Sequence, residues 1–245
     1  MYMRAMLFAA GLGTRLRPLT DHMPKALVPV SGRPLLDITI ERLKMAGATD
    51  IVVNVHHFSS QIIDHLAQHD YGVRIRVSDE TAELLDTGGG LKKALPLFEG
   101  DAPVLLHNVD ILSNADLRAF CRENAQNDVT LLVSPRQTQR YLLFDAAMRL
   151  VGWTNIATGE VRSPYPALKV SDCRMLAFSG IHLVRPDALR SCFTQWPARF
   201  PIMDFYLQNC HKLRIQGVEN ADLRLLDVGK QQTLATAEEF LKTGF

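Results

Sequence analysis

Long apolar runs are missing from this 245-residue chain. No stretch approaches the ~20 consecutive apolar residues that a membrane-spanning helix needs. The first ten residues resemble a secretion leader only in part. Arg4 and a short apolar run lead to Ala9-Ala10-Gly11, but the run is too short and further basic residues follow it. A charge surplus is missing too: 27 Lys and Arg stand against 26 Asp and Glu, a net charge of +1. That balance excludes a global field for nucleic acid or a membrane surface, so any anion recognition must be local. The four cysteines, Cys121, Cys173, Cys192 and Cys210, form no CxxC pair. They read as reduced thiols of a cytoplasmic protein rather than as a zinc site. No Ser-His or Cys-His constellation for nucleophilic catalysis stands out, and no repeat or long linker divides the chain.

What is present is a chain with 47% apolar residues, enough for one large α/β domain or two small ones. Apolar runs at 5–10, 51–56, 73–77, 104–107 and 129–134 read as strands. Helical spacing recurs at 35–46, 60–68, 90–98 and 115–124, the last with Asn114 or Asp116 as cap. Pro96 should shorten its helix. This alternation predicts right-handed crossovers and a mainly parallel sheet flanked by helices, a Rossmann-like arrangement. After about residue 135 the texture changes. Segments 141–144 and 150–153 read as a hairpin, 175–184 as a strand, 186–195 and 202–209 as helices. Segments 213–218 and 223–228 read as strands and 232–242 as a helix. The layout predicted is a single unit over 1–245, with halves 1–135 and 136–245, the second smaller and more antiparallel.

The densest cluster of chemistry follows the first strand, in LFAAGLGTRLRPLTDHMPKALVPV (residues 7–30). Gly11 and Gly13 would let backbone N–H groups approach an anion, and Arg15, Arg17 and Lys25 would supply charge. It is not a dinucleotide fingerprint, because Leu16 stands where a third small residue is required, and no Gly-Lys-Ser/Thr follows. Two aspartates also stand out. Asp110 follows the apolar run 104–106, at the carboxyl end of a central strand, where open α/β sheets bind ligands. Asp227 ends the run 223–226. Asp86-Thr87-Gly88-Gly89-Gly90 reads as a glycine loop opening a helix. Such a loop suits either a planar ligand packed on backbone or a plain strand-to-helix connection capped by Asp86 or Thr87.

The loop resembles the signature of sugar-1-phosphate nucleotidyltransferases (NDP-sugar pyrophosphorylases), A-A-G-x-G-T-R-L-x-P-L-T followed by P-K-x-L-x-P-V. Residues 9–20 and 24–30 supply both parts. Asn108-Val109-Asp110 is similar to the family's N-G-D, with valine for glycine. Asp227-Val228-Gly229-Lys230 is similar to its D-V-G-T, with Leu225 where tryptophan is common. The D-T-G-G-G run is similar to the E-T-G-G-G of the short N-acetylmuramate-1-phosphate uridylyltransferase branch. Residues 177–183 resemble the strand lining the sugar pocket.

The resemblance implies the nucleotide-diphospho-sugar transferase fold and a reaction of the EC 2.7.7 type. NTP, UTP first, and a sugar 1-phosphate, N-acetylmuramate 1-phosphate first, would give NDP-sugar and pyrophosphate. It implies catalytic roles for Arg15 and Lys25. Ala10, Gly11, Gly13, Thr14, Arg15, Thr87, Gly88, Gly89 and Asn108 would bind nucleotide. Lys25, Ser179, Gly180 and Lys169 would bind the sugar phosphate, and Asp110 and Asp227 would hold Mg²⁺. Arg140 lies in a stretch outside the family's pattern and joins the sugar-phosphate set as a cation for a phosphate or a carboxylate. Tyr141, Trp153 and Asn155 read either as pocket lining or, for the two aromatics, as hairpin packing, which is favoured for Trp153; His56-His57 read as strand-end surface and His107 as a core histidine. The alternatives are a mannose- or heptose-1-phosphate guanylyltransferase and a non-catalytic nucleotide-sugar-binding regulator. A cytoplasmic monomer or small homo-oligomer serving cell-wall synthesis, without nucleic-acid or membrane partners, completes the expectation.

Overall fold

The first apolar run forms strand β1 (Met3–Phe8), whose side chains alternate between two cores: Met6 and Phe8 face one, Ala5 and Leu7 the other. The computed structural model describes residues 3–242. After β1 the first half holds β2 (Pro29–Val30), β3 (Arg33–Pro34), β4 (Ala48–Val55), β5 (Arg74–Asp79), β6 (Val104–Asn108), β7 (Ile111–Ser113) and β8 (Val129–Ser134). Its helices are α1 (Leu35–Met45), α2 (Ser59–Gln68), α3 (Asp86–Ala94) and α4 (Leu117–Glu123). The second half adds β9 (Arg140–Phe144), β10 (Leu150–Asn155), β11 (Glu160–Arg162) and β12 (Arg174–Val184). Helices α5 (Pro186–Phe193) and α6 (Ile202–Asn209), strands β13 (Ile215–Glu219) and β14 (Leu225–Asp227), and helix α7 (Gln232–Lys242) complete it.

Among the described residues, ten strands form one sheet in the order β11-β10-β9-β12-β6-β1-β4-β5, with β8 on β12 and β13 on β8. Strands β6, β1, β4 and β5 pair in parallel. From β12 to β11 the pairing is antiparallel, so the sheet is mixed. The long β12 joins the two regions: residues 181–184 pair with β6 and residues 174–176 with β9. Helices α1, α2 and α4 bury Leu36, Ile40, Leu43, Ile62 and Phe120 on one face, and α3, α5 and α6 bury Leu91, Phe193 and Phe205 on the other. This is the three-layer arrangement expected for a parallel sheet.

Local chemistry sets several boundaries. Asp116 caps α4 by accepting the Ala119 N–H at 2.9 Å. Pro96 falls in a 3₁₀ turn, Leu95–Leu97, just beyond α3. Three short elements lie outside the sequence reading: the β2–β3 ribbon, β11, and β7, which pairs antiparallel with β14. A third core, including Leu16, Val28, Val30, Leu112 and Val228, fastens the first loop between these ribbons and α7. Leu16, the residue that departs from the dinucleotide fingerprint, is fully buried there.

The glycine run corrects the sequence reading. Gly88, Gly89 and Gly90 lie inside α3, not in a loop before it, and all three are buried. A Cβ on Gly88 would strike Phe200, one on Gly89 the Ala198 carbonyl, and one on Gly90 would lie 2.7 Å from Glu80 Oε1. The Gly88 and Gly89 N–H groups donate to the Phe200 carbonyl at 2.9 and 3.2 Å. Gly88 and Gly89 therefore let a helix abut residues 198–200 and Gly90 leaves room for Glu80, demands that outweigh their ~1 kcal/mol helix penalty.

Candidate active site

Three strand ends define the site. Phe8 is level with Asn54 of β4 on one side and with Asn108 of β6 on the other. Chain order reverses beside β1, the place where open α/β sheets form a ligand crevice. A cavity of about 280 Å³ opens there, lined by Ala10, Gly11, Lys25, Thr87, Asn108 and Asp110 among others. Asn54, which the sequence reading missed, fixes its back wall. Its side-chain oxygen accepts the Ala9 N–H at 2.8 Å, and its amide donates to buried Glu80 at 2.7 Å. Burial pushes the Glu80 carboxyl above its usual range, against the hydrogen bonds from Asn54 and Leu85.

The loop leaving β1 winds through short 3₁₀ turns at Thr14–Leu16, Leu19–Asp21 and Lys25–Leu27. Among the described residues, no protein group accepts from the amides of Ala10, Gly11, Leu12 or Gly13. Gly13 has φ +64°, and a Cβ there would press on Lys25 and Thr20 at 3.0 Å, so the turn needs glycine. Thr20 Oγ1 donates to the Gly13 carbonyl at 2.8 Å and holds it. Arg17 points to solvent and pairs with Asp21 at 3.2 Å.

The loop delivers Lys25 to the cavity with only 9% of its surface exposed. Its Nζ donates to Asp110 Oδ2. The β7–β14 ribbon brings Asp227 beside Asp110 across 117 positions of sequence: Asp227 pairs with Ile111, and the Val228 N–H donates to the Asp110 carbonyl at 2.8 Å. Burial, then the neighbouring Asp110 charge, push the Asp227 carboxyl above its ordinary range, while Lys25 and Arg15 pull it down. Arg15 lies 3.8 Å from Asp227 and is half exposed. Gly229 makes room for it, since a Cβ there would lie 2.7 Å from Arg15 Nη2. Two facing carboxylates with two flanking cations form a site for a hard divalent cation and for phosphate oxygens.

Other expected positions fall elsewhere. Thr87 lines the cavity and its Oγ1 accepts the Ile202 N–H at 3.0 Å, tying α3 to α6. Gly88 and Gly89 are turned into the protein, with their amides spent on Phe200. Ser179 is buried, with its hydroxyl against the Ile181 backbone at 3.2 Å. Gly180, at φ +76°, packs on the Asn108 side chain, where a Cβ would lie 2.9 Å from its Nδ2. Both act behind the wall rather than on its surface. Lys169 is exposed and lines neither this cavity nor the next.

Arg140 lines a second cavity, of about 390 Å³, with Arg136, Arg162, Trp153 and Phe178. Trp153 packs against the core, as expected, while one side faces this cavity. Arg136 and Arg162 are further residues that sequence reasoning missed, being single arginines in stretches without periodicity.

A cradle of open amides beside paired acids and buried lysine, at the switch point of an α/β sheet, defines a nucleotide- and phosphate-handling protein. A family model described as nucleotidyl transferase matches residues 4–141. A relative from Caulobacter vibrioides, an N-acetylmuramate alpha-1-phosphate uridylyltransferase, is 36% identical over 190 residues, 75% of each chain. A protein of the same description from Neisseria meningitidis is 48% identical over 118 residues, 48% of this chain and 51% of the relative. The solved structure of HddC from Yersinia pseudotuberculosis complexed with GMP-PN shares the fold, with a TM-score of 0.77 at 20% identity, over 98% of this chain and 100% of that one. The chain belongs to the nucleotidyl transferase family, and the motif resemblance is borne out. Among the described residues no helix is long and apolar enough to cross a membrane.

Proposed function

We propose that this protein transfers a nucleotidyl group from an NTP to a sugar 1-phosphate, with UTP and N-acetylmuramate 1-phosphate as the preferred pair. The observation that carries the reading is the convergence of Lys25, Asp110, Asp227 and Arg15 beside the unengaged amides of residues 10–13. The named relatives supply the substrate pair.

A sugar-phosphate oxygen attacks the α-phosphorus of the NTP. The bond from that phosphorus to the oxygen bridging the β-phosphate breaks, and pyrophosphate leaves. The nucleophile is already ionised near neutral pH, so no side-chain base is required. The task is to bring two polyanions together and to stabilise charge on the leaving group. The amides of residues 10–13 hold phosphate oxygens. Lys25 neutralises charge where the two substrates meet, and Arg15 holds the departing pyrophosphate. Asn108 and Thr87 bound the nucleotide side. Asp110 and Asp227 fit a divalent cation, Mg²⁺ by the chemistry of their oxygens, and such an ion neutralises phosphate charge when bound. Residues 1–135 form the nucleotide half of a single unit and 136–245 the sugar-phosphate half. The reaction belongs with nucleotide-sugar supply to the cell wall in the cytoplasm, by a monomer or small homo-oligomer.

The test is pyrophosphate release across four NTPs and a panel of sugar 1-phosphates. The fastest turnover is expected with UTP and N-acetylmuramate 1-phosphate. A preference for GTP with mannose 1-phosphate would move the reading to a guanylyltransferase. Tight nucleotide binding with no turnover of any pair would make the protein a sensor.

A further inference from the structure

We propose that the second cavity binds a carboxylate carried on a short apolar arm of the sugar, so that the protein selects an acidic sugar 1-phosphate over its neutral counterpart. The inference rests on the nucleotidyltransferase reading and names what sets its sugar preference.

Three guanidinium groups face this cavity, from Arg136, Arg140 and Arg162. Two are held by the protein. Arg136 Nη2 donates to the Phe178 carbonyl at 2.9 Å. Arg162 Nη2 donates to Asp204 at 2.8 Å, and its guanidinium lies 5.9 Å from the centre of the Trp153 ring. The third is free: among the described residues, no group accepts from the Arg140 side chain. One carboxylate against three cations leaves the cavity with surplus positive charge and a fork of donors without an acceptor, the arrangement that carboxylates and phosphates satisfy bidentately.

The rest of the lining narrows the choice. Leu142, Trp153, Phe178, Met203 and Leu207 make the floor apolar. Sugar hydroxyls need acceptors as well as donors, and the lining side chains are rich in donors but offer as acceptors only the Thr138 hydroxyl and the weak Met203 sulfur. An acid on a methyl-bearing arm satisfies both parts. The reacting phosphate has its own place. Pro201 lines the first cavity and Met203 the second, so the first turn of α6 stands between them. Asn108 on the wall of the first cavity is backed by Gly180 of β12, and Phe178 of the same strand lines the second. One substrate can thus reach from Lys25 to Arg140 along these two elements.

The experiment compares N-acetylmuramate 1-phosphate with N-acetylglucosamine 1-phosphate, which lacks the acidic arm, in native protein and in Arg140→Gln with UTP. Arg140 is exposed and its side chain has no hydrogen-bond or ion-pair partner among the described residues, so the variant should fold, as circular dichroism can verify. The expected result is a fall of about 10–100-fold in the ratio of kcat/KM for the acidic sugar over the neutral one, carried by KM. Arg140→Lys should recover part of that ratio, since it keeps the charge and loses the fork. An equal fall for both sugars would assign Arg140 to the shared 1-phosphate and overturn the inference. So would an unchanged ratio. No turnover of either sugar by the native protein would instead overturn the reading of the function, and the inference with it.

Discussion

The two cavities are built on opposite plans. The first sits at the ends of parallel strands, is walled largely by backbone and short side chains, and keeps its key cation buried against an acid. The second sits on antiparallel strands and is walled by long side chains, three of them exposed arginines. The first plan suits chemistry that does not vary, because a phosphate cradle of amides and a buried ion pair cannot be retuned one residue at a time. The second suits selection, because an exposed side chain on a hairpin can change with little cost to the fold. The first cavity should therefore respond to mutation in the same way for every sugar, and the second in a way that depends on the sugar.

The largest expected effect breaks the first plan. Lys25→Ala should lower turnover by about 10²–10³ for every sugar 1-phosphate offered, as loss of one preorganised charge does. The variant leaves Asp110 and Asp227 facing each other without their buried cation, so it is best measured in steady-state assays beside a thermal melt. Arg15→Ala should cost on the order of 10² with the fold intact, since its side chain is 57% exposed and, among the described residues, pairs only with Asp227. A sugar-dependent loss in either variant would erase the distinction between the cavities, and near-normal turnover of Arg15→Ala would remove that residue from the mechanism.

The next effect is structural. Gly89→Ala places a methyl against the Ala198 carbonyl. In an open helix this change would stabilise by ~1 kcal/mol. Here overpacking should reverse the sign and destabilise by about 2 kcal/mol in urea unfolding, with activity reduced as α3 shifts and loosens the Thr87–Ile202 link. A stabilised variant would show that the glycines are not required by packing.

The same glycines show where the sequence stopped being legible. The parallel strands and α1, α2 and α6 were readable because each carries its own periodicity. Lys25, Asp110 and Arg15 were readable because their motif is local and long. Gly88 and Gly89 were not, since their reason lies more than a hundred residues away, at Phe200 and Ala198. Lys169 matched by spacing alone, and spacing does not decide which way a side chain faces. The three-residue strand β7, too short to show a period, is what brings Asp227 to Asp110. Asn54 did leave a trace: it is a lone amide inside the apolar run IVVNV, where a buried polar group must have partners.

The smallest effect probes the seam between the two plans. His107 of β6 and His182 of β12 are buried on adjacent strands, held by the Asn108 carbonyl and the Tyr206 hydroxyl, each at 2.7 Å. Burial lowers them to about 4 and about 3, far below the ~6.5 of an unfolded histidine. Above pH 6.5 neither the folded nor the unfolded chain binds these protons, so they add no slope. Below it the unfolded chain takes them up and the folded chain does not. Stability therefore falls with pH by ~1 kcal/mol per unit for each histidine, until about pH 4. The carboxyls of Glu80 and Asp227, held above their usual range, act in the opposite sense, so the slope is read as the difference between native protein and His182→Asn. Urea unfolding between pH 6 and 4.5 should show the variant losing about one proton's worth of slope. Equal slopes would mean that His182 is charged in the folded protein and that the seam is wetter than its packing shows. In a Trp196→Phe background, tryptophan fluorescence reports the antiparallel side through Trp153, and circular dichroism reports the whole sheet. Coincident transitions would show the two plans unfolding together along β12, and an earlier fluorescence change would show the selective side opening first.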